Sequence, residues 1–149
     1  MALPDGDSAV GHYFGLEIDG VMLKEIQEVS GLTIEQDVIE LKQNTADGKY
    51  VIKKQPGRQK AGSFTVTRGL SASDSLEKWL TSSLDGKMSD ARKSGAVIIF
   101  DYIGTPIKRY KFENAWVSKL EIGSLKAGDT SVLTEKATIN YEMISASDS

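Results

Sequence analysis

At 149 residues, 40% hydrophobic and 26% charged, the chain has ordinary globular composition and is long enough for one domain with a real core. The absence of cysteine excludes a disulfide framework, a thiolate metal site and a cysteine nucleophile. A net charge of −3 argues against a dedicated nucleic-acid binder, and no apolar run approaches membrane-spanning length.

Residues 1–7 carry neither a basic stretch nor an apolar run, so no secretory signal is read there. The expectation is synthesis and assembly in the cytoplasm, with no membrane insertion by the subunit. Residues 12–18 alternate and end on Asp19-Gly20, a hairpin turn signal. A strand over 21–29 follows, and Ser30-Gly31 breaks or bulges the chain before a strand over 32–41. Leu32, Ile34, Val38 and Ile39 stand there among acids, and the alternation slips once near Asp37, as at a bulge or a change of face. Residues 44–48 (NTADG) predict a turn, 50–53 a short strand, and Pro56-Gly57 a breaker.

A strand over 63–68 leads to a helix over 74–84. Asp74 caps it, Glu77 stands at capping-box spacing, and Leu76, Trp79, Leu80 and Leu84 form one apolar stripe for packing on a sheet. Asp85-Gly86 ends it, and residues 87–93 read as a weaker helical turn. Strands over 96–102, 108–120 and 132–144 complete the chain, with a turn at 123–129. The predicted class is mainly β, an antiparallel β-barrel or sandwich with one packed α-helix. It forms a single domain over 1–149, with flexible ends at about 1–10 and 145–149.

Charge is segregated along the chain. Eight acids lie between Glu17 and Asp47 against only Lys24 and Lys42, whereas six bases and no acid lie between Lys49 and Arg68. One reading is solvated strand faces and a solvated loop. The other sets Lys53, Lys54, Arg58 and Lys60 of one copy against Glu25, Glu28, Glu35 and Asp37 of the next. Opposite fields on different surfaces favour head-to-tail contacts, which build rings or filaments.

Residues 55–63, QPGRQKAGS, approach a phosphate-binding loop, with Gly57 and Gly62 at the right separation. Ser63 replaces the lysine, and Phe64 and Val66 then alternate as in a strand, whereas the motif must open a helix. The phosphate reading is rejected. His12 is the only histidine, and nothing near it in sequence forms a nucleophile–base pair. Carboxylates two apart, such as Glu35 and Asp37, share one strand face, usually the wet one. No metal-ligand spacing is present. No catalytic, cofactor-binding or metal residue is assigned, and the chain is read as a non-enzyme.

The segments YFGLEIDG (13–20), IQEVSGL (26–32), PGR (56–58), TVTRG (65–69), LEKWL (76–80) and FENAWVSK (112–119) occur in that order. Together they resemble the inner-tube protein of contractile phage tails and contractile injection systems, over roughly Tyr13 to Met143. The sequence is also similar to the type VI secretion tube protein. The resemblance implies hexameric rings whose inner sheets join edge to edge and stack into a hollow tube, which a contracting sheath propels. It implies as partners further copies of the chain, a sheath protein, baseplate or spike and tube-terminating proteins, and effector or nucleic-acid cargo in the lumen. Residues 55–63 then become an extended basic loop at an interface, with Arg58 suited to a neighbour's carboxylate and Gly57 and Gly62 allowing turns and close approach. The alternative is a secreted, ring-forming carrier that binds effectors in its lumen. A nucleic-acid-contacting role for 49–68 lacks stacking platforms, since only Tyr50 and Phe64 are aromatic there.

Overall fold

Alternating apolar residues give strands nearly everywhere they were expected. The computed structural model describes residues 13–23, 26–70, 75–128, 130 and 132–148; the end at 1–10, His12, Glu25 and Asp74 lie outside them. The described elements begin with β1 (Phe14–Ile18), β2 (Val21–Met22), β3 (Ile26–Ser30), β4 (Gln36–Asn44), β5 (Tyr50–Gln59) and β6 (Gly62–Gly69). Helices α1 (Ser75–Leu84) and α2 (Met88–Ala91) follow, and then β7 (Lys93–Phe100), β8 (Pro106–Ile122), β9 (Thr134–Tyr141) and β10 (Met143–Asp148). The chain is mainly β, and all strand pairs among the described residues are antiparallel.

The long strand β8 organises two sheets. Its first half pairs with β7 on one side and β10 on the other, and β7 carries β1 and β2, giving the order β2-β1-β7-β8-β10. Its second half pairs with β9, which carries β6 and β3, giving the order β8-β9-β6-β3. The crossover point is Asn114, at φ +53°, facing the kink at Glu142 between β9 and β10. There Asn114 Nδ2 donates to the Glu142 carboxylate at 2.9 Å and the Glu142 N–H donates to the Glu113 carbonyl at 3.1 Å. Asparagine tolerates this left-handed backbone better than most residues.

Leu16, Ile18, Val97, Phe112 and Ile144 of the first sheet pack against Phe64, Val66, Val117, Ala137 and Ile139 of the second. The Phe64 and Phe112 rings, with centroids 5.2 Å apart, join the layers. Each of the Leu, Ile, Val and Phe side chains among them contributes about 1.5–3 kcal/mol by leaving water. Helix α1 packs on β8 through buried Leu76 and Trp79. The Trp79 indole N–H is satisfied by the Ala91 carbonyl of α2. Leu84, placed in the apolar stripe by its spacing, is 75% exposed, so the buried stripe ends at half-buried Leu80.

Other expectations shift. The strand over 21–29 divides, because β2 pairs with β1 in one sheet and β3 with β6 in the other. Asp19 (φ +50°) and Gly20 (φ +81°) form the expected turn. Strand β7 ends at Phe100 because Asp101 Oδ1 accepts the Ile103 and Thr105 N–H groups and turns the chain. Residues 145–148, read as a flexible end, belong to β10 and pair with Lys111 through Lys108. Gln59, in turn, donates its side-chain amide to the Ile144 carbonyl of that strand.

Candidate assembly interface

Strands β4 and β5 form a hairpin that belongs to neither sheet. Their partners are each other, in a two-stranded ladder closed by a turn at residues 46–48. The alternation slip near Asp37 is a bulge, with Gly57 and Arg58 of β5 opposing the single residue Asp37. Pro56-Gly57 therefore does not break the chain. Proline lacks an N–H, and an exposed two-stranded hairpin beside a bulge is where a ladder accepts it. Neither Gly57 nor Gly62 adopts a positive φ, so they do not turn the chain; they permit close approach. A Cβ on Gly62 would stand 2.8 Å from the Tyr141 hydroxyl oxygen. With glycine there, Tyr141 lies across the start of β6 and donates to the Thr33 carbonyl at 2.8 Å, tying the base of the hairpin to the body.

Beyond that base every β4 side chain is exposed, and so is every β5 side chain. Val38 (64%), Tyr50 (59%) and Ile52 (51%) present apolar surface that no residue of this chain covers among those described. Register puts Val38, Pro56, Ile52 and Tyr50 on one face and Ile39, Leu41 and Val51 on the other. A hairpin that is apolar on two faces and packed on none is marginal alone in water.

The expected interface residues gather here in part. Lys53, Lys54 and Arg58 lie on β5, Asp37 on β4, and Glu35 and Lys60 at the base. The chain's acids and bases meet within one copy: Lys54 pairs with Glu40 at 3.9 Å, and Lys60 with Asp37 at 3.6 Å and Glu35 at 4.0 Å. All five side chains are at least half exposed, so each pair contributes at most about 1 kcal/mol. No described carboxylate lies within 4.0 Å of Lys53 or Arg58. Glu28 stands apart on β3, opposite Thr67.

Sequence reasoning missed two features. The exposed apolar residues of β4 and β5 carry the same alternation as core strands, so only the fold reveals them as uncovered. Arg68, grouped with the surface bases, is buried against buried Glu135, its partner in the β6–β9 register. Arg68 also reaches Ser75 Oγ at 3.4 Å, linking the pair to the start of α1. Among the described residues no three histidines or carboxylates gather as a metal site would require, and no helix is long and apolar enough to cross a membrane.

Residues 10–145 match the family model of the T4-like virus tail tube protein gp19. The chain belongs to this tail tube family. Solved structures agree on the fold of the tube protein. One, the tube-terminating cap of the anti-feeding prophage, shares 16% identity at a TM-score of 0.78, covering 100% of this chain and 97% of that one. A chain of the sheath–tube complex of an extracellular contractile injection system, in its extended state, shares 18% identity at a TM-score of 0.77, covering 97% and 95%. Hcp1 of Flavobacterium johnsoniae shares 19% identity at a TM-score of 0.53, covering 92% and 96%. No curated protein matches the sequence.

Proposed function

We propose that this tube protein is the repeating subunit of the inner tube of a contractile tail or injection particle. Its whole length, 1–149, acts as one tube domain. Copies close into hexameric rings, which stack into a hollow tube that a contracting sheath drives forward. The subunit acts by assembly, with no catalytic residue and no cofactor. Its proposed partners are other copies, a sheath protein, baseplate or spike and tube-terminating proteins, and effector or nucleic-acid cargo in the lumen. Assembly takes place in the cytoplasm.

Membership of the tail tube family carries this reading, and the sheet edges supply its physics. In the order β8-β9-β6-β3 each strand is antiparallel to its neighbour. On the other side of β8, β7 pairs no further than Ala115, so among the described residues 116–122 form one open edge and β3 the other. An even number of alternating strands leaves the two edges antiparallel to each other. One copy's β3 can therefore extend the ladder of the next copy's β8, and closing the ring removes both exposed edges. The contact is head-to-tail, as ring closure requires.

Electron microscopy of the purified protein, alone and with its sheath partner, tests the proposal. Concentration-dependent rings or tubes are expected. A species that stays monomeric at high concentration, even on a baseplate template, overturns it. Isolated rings that never lengthen on that template would favour the effector carrier.

A further inference from the structure

The hairpin is a basic arm on an acidic body. Residues 35–60 hold six bases against four acids, which leaves 12 bases against 17 acids in the rest of the chain. Pairing within the arm occupies Lys54 and Lys60, while Lys53, opposite Leu41 midway along the arm, and Arg58, opposite Asp37 near its base, have no described carboxylate within 4.0 Å. Strand β4 has nine residues, so at about 3.3 Å each the arm reaches roughly 30 Å. That is about twice the radius of gyration of about 15 Å expected for a chain of this length. Lys53 stands about five residues, roughly 16 Å, out along it, and Arg58 stands beside the body at its root.

The body offers a matching recess on the outer side of the first sheet, an open cleft of about 280 Å³ between the β1–β2 turn and β8. Its floor includes the backbone of Gly95, which must be glycine because a Cβ would stand 2.2 Å from the Glu17 carbonyl oxygen and 2.7 Å from the core ring of Phe112. Glu17 and Arg109 neutralise each other in the cleft at 3.1 Å. The exposed carboxylates of Asp19 and Glu113 stand on its lining without a described cation within 4.0 Å, accompanied by Lys111. Asp19 is held in place by its left-handed turn and by its N–H donating to the Ser94 carbonyl at 2.9 Å. The recess is smaller than the roughly 300–1,000 Å³ usual for a ligand pocket. It suits one long side chain, with an aliphatic stem over the glycine floor and a cationic head between two carboxylates.

We propose that this cleft receives the basic arm of a second copy, with Arg58 or Lys53 seated between Asp19 and Glu113. The proposal rests on the tube-subunit reading and deepens it. It assigns the intermolecular acids to Asp19 and Glu113, because Glu35 and Asp37 are occupied within their own hairpin.

Charge exchange tests it. The variants Glu113→Lys, Lys53→Glu/Arg58→Glu and the combination of all three are compared with wild type by the protein concentration at which half the chains sediment as assemblies. Circular dichroism of the dilute protein checks that each one folds, and Glu113→Gln serves as a milder probe of the same exposed site. Glu113→Lys and the arm variant should each raise that concentration about three- to tenfold, while the combination returns most of the way to wild type. Assembly of folded Glu113→Lys at the wild-type concentration overturns the proposal, as does a combination no better than its worse parent. In both cases wild type still forms tubes and the tube reading stands. If templated wild type itself remains monomeric, the tube reading falls and the arm assignment with it.

Discussion

In β6, Phe64, Val66 and Arg68 are buried while Ser63 is exposed and Thr65 and Thr67 are half-buried; in β4, Val38 and Glu40 on one face and Ile39 and Leu41 on the other are all exposed. Both strands alternate, and both are paired antiparallel. The difference lies in what faces them. Strand β6 has neighbours on both edges and the first sheet across from it. Among the described residues, strand β4 has a single partner, β5, and no layer above or below. Body and arm thus separate two functions: the body holds the subunit's own free energy of folding, whereas the arm's apolar surface gains nothing until another molecule covers it.

The body should break from a single residue. Trp79→Ala removes a buried ring from the contact between α1 and the sheets and leaves the Ala91 carbonyl without its indole donor. A loss of about 3–5 kcal/mol in urea unfolding is expected, with assembly failing as a consequence of unfolding. A loss below 1 kcal/mol would mean that α1 is not part of the core.

The buried Arg68–Glu135 pair makes a sharper probe, because it separates charge burial from volume. Arg68→Met leaves Glu135 charged and buried, and should cost about 3–5 kcal/mol. Arg68→Met/Glu135→Leu removes both charges and should regain most of that loss. If the double variant is no more stable than Arg68→Met, the pair holds the start of α1 through its hydrogen bonds rather than satisfying its own charges. A smaller loss, about 0.5–1.5 kcal/mol, is expected for Tyr141→Phe, which cuts the hydrogen bond to Thr33 where arm meets body. Hydrogen exchange at residues 33–36 should rise more than at β9. Equal changes in both would show that Tyr141 acts on the core alone.

The same comparison explains what the sequence made legible. Local signals were sufficient where a turn is self-contained, as at Asp19-Gly20, or where a periodicity reports its own burial, as at Leu76 and Trp79. They failed where tertiary context decides. Pro56-Gly57 reads as a breaker, yet β5 runs through it because a hairpin open on its far side tolerates a missing donor beside a bulge. Residues 145–148 have the polar composition of a tail, but pairing with β8 makes them a strand. Arg68 looks like one more surface base until Glu135, far along the chain, arrives opposite it. For the proposed interface, the charge pattern singles out 53–60 but cannot tell that Lys60 is answered by its own Glu35 and Asp37.

The smallest effect on the subunit should accompany a large effect on assembly. Leu41 (37% exposed) and Val51 (39%) lie on the same face of the arm, covered only by their hairpin neighbours, so replacing both by serine leaves the body's core intact. Leu41→Ser/Val51→Ser should leave unfolding free energy within about 0.5 kcal/mol of wild type. If that face is covered by another copy in the tube, each contact along the filament loses the same apolar area, at roughly 25 cal/mol for every Å². A repeated loss compounds, because each ring added depends on the same weakened contact. Tubes counted by electron microscopy should then be shorter, or appear only at higher protein concentration, while circular dichroism remains unchanged. A drop of 2 kcal/mol or more in the monomer, estimated from the cost of a buried Leu or Val, would place these side chains in the body's own core. Unchanged stability with unchanged tube length would leave this face solvated in the tube, and the covering copy would then have to lie on the opposite face, over Val38, Ile52 and Tyr50.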